Sequence, residues 1–218
     1  MGMNNVVLQE LLERHDRLKP LEFVIRRAGE SMIDCYRKGG KVLVCGNGGS
    51  SADADHIVGE LMKSFEKKRP LERKVGENLH ERFGDQGKWL ADNLQQGLPA
   101  LSLSAHTSLV TAISNDLGGD LVFAQQVTGY GDAGDVLLAL STSGNARNVI
   151  NALMVAKTKG MITIGMTGET GGKMKEFCDI LINVPEKRTA CVQELHLPIY
   201  HTLCRMVEFA FFGNNRFK

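Results

Sequence analysis

His56 and Glu60 stand four residues apart in the stretch VCGNGGSSADADHIVGE, Val44–Glu60, and on a helix that spacing puts both on one face. An imidazole beside a carboxylate can hold a divalent cation or move a proton, although such a pair alone is more often a plain surface contact. A second group of such side chains lies near the C-terminus in QELHLPIYH, with Gln193, His196 and His201. Gln193 and His201 are eight residues apart, ~12 Å of rise and roughly 80° of rotation on a helix, so spacing alone does not pair them. Either histidine could equally be a hydrogen-bonded core residue.

Two polar loops complete the set. GNGGSS (Gly46 to Ser51) follows the apolar run Val42 to Cys45, and STSGN (Ser141 to Asn145) follows Val136 to Leu140. Glycines allow close backbone approach, hydroxyls donate hydrogen bonds, and a following helix start adds N–H groups and a positive partial charge, a combination suited to a phosphate dianion. One such loop alone reads equally well as a helix cap. Its occurrence twice, at corresponding strand ends, favours an anion site. Neither loop has the GxxxxGK[ST] or GxGxxG pattern, which argues against a nucleoside triphosphate or a dinucleotide.

The elements that must position these residues follow from periodicity. Val6 to Arg37 has helical spacing, with Pro20 separating or opening helices. Strands are expected at Val42 to Cys45, Leu101 to Leu103, Val136 to Leu140, Ile162 to Gly165 and Ile180 to Val184. Helices are expected at Ser51 to Met62, Thr107 to Ile113, Ala146 to Lys159 and Thr189 to Phe212, the last kinked at Pro198 or starting later. Continuous apolar strands alternating with helices predict an α/β, three-layer sandwich: a central parallel sheet flanked by helices, with a helical N-terminus at 1–37 and one domain over 1–218. Residues 65–98 fit poorly. This charged, glycine-containing insertion with the lone Trp89 reads as a helical excursion or a mobile loop. The basic run Lys67, Lys68, Arg69, broken by Glu66 and Glu72, is expected to be solvated.

Composition narrows the class. A formal net charge of +1 provides no global field for nucleic acid or an anionic membrane, and no apolar run is long enough to span a bilayer. Five scattered cysteines without a CxxC pair point to reduced thiols and a cytoplasmic location.

Taken together and in order, CGNGGS, H-x-x-x-E, Asn115-Asp116, STSGN, TG-x-x-GGKM and QE-x-H resemble the phosphoheptose isomerase family of sugar isomerase (SIS) domain proteins, over about Lys38 to Glu208. The resemblance implies a homotetramer with active sites between subunits. It further implies conversion of sedoheptulose 7-phosphate to glycero-manno-heptose 7-phosphate for surface polysaccharide. By motif position, Ser50, Ser141, Thr142 and Ser143 would hold the phosphate. Asn47, Gly48, Gly49, Asn115, Asp116 and Gln193 would contact the substrate. His56, Glu60, Gln193 and His201 would ligate one zinc per subunit, with Glu60 and His201 also the base and acid. The family prefers His201 where spacing did not. Three departures stand out: Ala146 where relatives often carry Ser, the uncharged Ala190, Cys191 and Val192 before QE, and the long insertion. A non-catalytic branch that binds a replication initiator lacks the glutamate and the second histidine. A phosphosugar sensor needs neither. Their presence here, as Glu60 and His201, favours the enzyme.

Overall fold

A computed structural model describes residues 3–213; the outermost positions of the expected 1–218 domain, 1–2 and 214–218, lie outside the described residues. The chain opens with α1 (Met3–Arg14), a 3-10 turn (Asp16–Leu21) that contains Pro20, and α2 (Glu22–Arg37). There follow β1 (Val42–Cys45), α3 (Gly49–Met62), α4 (Arg73–Asn93), β2 (Ala100–Ser102), α5 (Thr107–Asp116) and α6 (Val122–Tyr130). The second half runs β3 (Val136–Leu140), α7 (Arg147–Thr158), β4 (Ile162–Thr167), β5 (Ile180–Asn183) and α8 (Thr189–Phe212).

All strand pairs are parallel, in the order β2-β1-β3-β4-β5. A parallel sheet has to be covered on both faces, which is why β1 and β3 are apolar at every position and buried throughout. Alternate side chains divide between two cores. Val42, Val44, Leu138 and Leu140 pack with α1, α2, α3 and α8 on one face, and Leu43, Cys45, Leu137 and Ala139 with α5, α6 and α7 on the other. The expected three-layer architecture is therefore present.

Three local features bear on the expectations, and the last of them is the helical excursion expected over 65–98. The helix at Val122–Tyr130 was not anticipated, because its short apolar run, VFAQQV, lacks a cap or a clean period. Pro198 neither stops nor delays α8, which runs unbroken through it. The insertion is helical: Gly84, at φ 57° and ψ −134°, folds α4 into two short helices. Gly87 lies against the Leu79 backbone, and a Cβ at Gly76 would stand 3.5 Å from that of Ala91, so the two halves touch through glycine. Phe83 and Trp89 remain exposed.

The basic run corrects the expectation of solvation at its most important member. Arg69 is only 1% exposed, and Glu208 of α8 is fully buried beside it. The Arg69 Nε donates to Glu208 Oε1 at 2.8 Å, while its other nitrogens donate to the carbonyls of Leu61 (2.6 Å) and Glu60 (2.9 Å) at the end of α3. The Glu208 carboxylate also accepts the consecutive N–H groups of Phe65, Glu66 and Lys67. Charge runs are solvated on average, but a guanidinium can be buried when every donor finds an acceptor.

His196, on the inner face of α8, is fully buried, and its Nε2 faces the Thr167 carbonyl at 3.4 Å. Burial pulls its pKa down to about 4.

Two outcomes are expected. Arg69→Met leaves a buried carboxylate without its counter-ion and should cost about 3–5 kcal/mol in urea unfolding. For His196, the unfolded chain takes up a proton near pH 6.5 whereas the folded chain resists until about 4, so stability present above pH 6.5 is lost as pH falls through that window. The loss is on the order of 3 kcal/mol at most. His196→Gln should flatten the pH dependence of the unfolding midpoint between pH 7 and 4.

Candidate active site

The order β2-β1-β3-β4-β5 places a topological switch point between β1 and β3, where successive connections diverge to opposite faces and leave a crevice beyond the strand ends. The two polar loops follow these two strands. α3 packs on one face of the sheet and α7 on the other. One cavity of ≈ 360 Å³ is lined by Asn47, Gly48, Gly49 and Ser50 from the first loop and by Ser141, Thr142 and Ser143 from the second, with Ala146, Thr189 and Gln193. Separate in sequence, the loops face each other across a single space.

The loops are not equivalent. At the start of α3, the N–H groups of Ser50, Ser51 and Ala52 are taken by the carbonyls of Asn47 and Gly48, so this loop offers side chains more than backbone donors. α7 starts at Ala146 without a side-chain cap, which leaves first-turn N–H groups facing the cavity end. Ser143 Oγ accepts from Asn145 N–H at 3.2 Å, so its own proton remains available to a ligand. No lysine or arginine lines the cavity. The donors that the cavity offers an anion are neutral hydroxyls and amides and a helix start. Ala146 contributes no hydroxyl.

Gln193 closes one wall so tightly that a Cβ on Gly49 would overlap its amide. Asn47 is held by a reciprocal amide pair with Asn148 of α7, 2.9 Å in each direction, which clamps the loops at fixed separation. Asn148 escaped sequence reasoning because an asparagine in a helix's first turn signals only the helix start. Asn115 and Asp116 are not brought into the cavity. They end α5, exposed, with the Asn115 amide donating to Asp116 at 2.8 Å.

Further along the two helices that contribute to this cavity, α3 and α8 bring together His56, Glu60 and His201. His56 Nε2 lies 3.2 Å from Glu60 Oε1, and the His56 and His201 rings are 5.0 Å apart, centre to centre. Geometry thus selects His201 over His196, which is in the core. Glu60 Oε2 and His201 Nε2 are buried and have no hydrogen-bond partner; the Lys63 ammonium stands 3.8 Å from the former. Burial, followed by the neighbouring His56, lowers the pKa of His201 and favours its neutral, ligand-competent form. The donor chemistry fits zinc, with two imidazoles, a carboxylate and two unpartnered buried atoms. Among the described residues, no three His, Cys, Asp or Glu side chains already stand at metal-binding spacing, and Gln193 lies in the cavity wall against Gly49. Sequence reasoning also missed Tyr200 and Asp53, whose side chains back His56.

Known proteins share this fold and are similar in sequence. The SIS domain family matches residues 8–83 and 90–168, and the gap falls at the Gly84 turn and the start of the returning helix. A phosphoheptose isomerase from Laribacter hongkongensis is 40% identical over 98% of this chain and 97% of its own length. One from Aneurinibacillus thermoaerophilus is 40% identical over 95% and 90%. The solved phosphoheptose isomerase of Neisseria gonorrhoeae superposes with a TM-score of 0.72 at 36% identity, covering 92% of this chain and 94% of that one. That of Francisella tularensis gives 0.70 at 32%, covering 84% of each. With the switch-point crevice, the paired loops and the His56–Glu60–His201 cluster in place, the chain belongs to the phosphoheptose isomerase family of SIS-domain enzymes.

Proposed function

We propose that this enzyme interconverts sedoheptulose 7-phosphate and D-glycero-D-manno-heptose 7-phosphate, and so supplies heptose for surface polysaccharide in the cytoplasm. The observation that carries this reading is the single cavity that joins both hydroxyl-rich loops to Gln193, on the same helix that presents His201 two turns further on. The relatives' shared name supports a phosphorylated heptose as substrate.

In this reading Ser50, Ser141, Thr142 and Ser143 hold the phosphate, and its binding energy fixes the reacting carbons at the other end of the sugar. Glu60 takes a proton from C1 of the ketose and returns it to C2, while His201 handles the proton exchanged between the two oxygens through an enediol. Asn47, Gly48 and Gly49, with Gln193, line the chain between the two ends; Asn115 and Asp116 join them from an adjoining subunit of a homotetramer. His56, Glu60, Gln193 and His201 would hold one zinc per subunit. When bound, the metal polarises the carbonyl oxygen as a Lewis acid.

Purified protein should convert sedoheptulose 7-phosphate, lose conversion on chelation and regain it with zinc. Saturable binding without turnover would sink the enzyme assignment for this sugar in favour of another substrate or a sensor. Glu60→Gln should abolish turnover while phosphosugar binding, read by calorimetry, persists. Gly49→Ala should displace the flexible end of Gln193 rather than the fold, lowering kcat/KM on the order of 10²-fold with little change in unfolding midpoint.

A further inference from the structure

Behind His56 lies a polar relay that the reaction does not use directly. Tyr200 of α8 places its hydroxyl 3.0 Å from His56 Nδ1 and 3.3 Å from Asp53 Oδ1, one turn before His56 on α3. A phenol has one proton to give, and it goes to the carboxylate, which can only accept. The Tyr200 oxygen is then left to accept from His56 Nδ1, and in a neutral imidazole with its proton there Nε2 carries a lone pair. That lone pair faces Glu60 Oε1 at 3.2 Å, acceptor against acceptor, with Glu60 Oε2 and His201 Nε2 buried and unpartnered nearby. A lone pair on His56 Nε2 facing a carboxylate oxygen is an arrangement that a cation relieves.

We propose that Tyr200 and Asp53 are positioning residues that lock His56 in the Nδ1–H tautomer and aim its Nε2 at the cation position beside Glu60. The inference rests on the zinc reading above and adds to it the residues that prepare the imidazole. Outer-shell partners of this kind commonly contribute 10–100-fold to metal affinity. Tyr200 is nearly fully buried and its ring stacks edge-on against both His56 and His201, so the hydroxyl is held in place by packing.

The test uses the full-length apo-protein and cobalt(II), whose absorption bands report ligation directly. Tyr200→Phe keeps the ring and removes only the hydroxyl. It should weaken cobalt binding 10–100-fold while leaving the thermal midpoint of the apo-protein close to that of the parent. Asp53→Asn, which lets an amide donate and frees the Tyr200 proton to turn toward His56, should do likewise. In ¹⁵N-labelled apo-protein, His56 should show the Nδ1–H tautomer, and both variants should shift it toward Nε2–H. An Nε2–H tautomer in the parent, or unchanged cobalt affinity in both variants, overturns the proposal. If the parent binds no cobalt, the zinc reading fails. The tautomer spectra then decide the relay separately.

Discussion

The buried pair between Arg69 and Glu208 is the constraint on which the rest of the site depends. Taking both charges out of water is costly, and the structure offsets that cost by giving each partner several hydrogen bonds. The consequence is geometric. Arg69 holds the last carbonyls of α3, at Glu60 and Leu61, while Glu208 belongs to α8. One ion pair therefore fixes the register between the helix that carries His56 and Glu60 and the helix that carries Gln193, Tyr200 and His201. Carbonyls at a helix C-terminus are acceptors left over by the helix itself, so a guanidinium is a natural partner there.

Given that register, the site is polarised along its length. At one end, hydroxyls, amides and an uncapped helix start present hydrogen-bond donors to an anion without placing a fixed positive charge against it. At the other end, Glu60 and His201 present acceptors that have no partners. A phosphorylated sugar whose reacting carbons lie far from its phosphate matches this division.

The strands and the long helices were legible in the sequence because burial on both faces writes an unbroken apolar run, as in Val42 to Cys45 and Val136 to Leu140, and because α8 has no internal stop apart from Pro198. The two loops were legible from their small polar residues alone. What joins them was not. Asn47 with Asn148 and Gly49 with Gln193 are contacts across the switch point, and nothing local in either segment encodes the partner. Arg69 misled for the same reason: its neighbours Lys67 and Lys68 set the local character, whereas its burial is decided by a glutamate 139 residues away. The choice of His201 over His196 came from family resemblance and needed the structure to acquire a physical cause. The two histidines lie on different faces of α8, one turned to Thr167 and the core, the other to His56.

Residues 65–98 show why a long excursion need not disturb such a site. The chain leaves and returns at almost the same point: Pro70 and Gln95 form an antiparallel bridge, Gln96 N–H donates to the Arg69 carbonyl at 2.8 Å, and the Gln96 amide donates to the Pro70 carbonyl. Those bonds close the base of the insertion, so α4 can extend outward without pulling on α3 or β2. Closing a longer loop adds little entropy cost once its base is pinned, and the glycine contacts within the hairpin let its two helices support each other. The residue that begins this closure is again Arg69, whose side chain is buried with Glu208. The same interaction that aligns α3 and α8 therefore stands at the base of the α4 excursion.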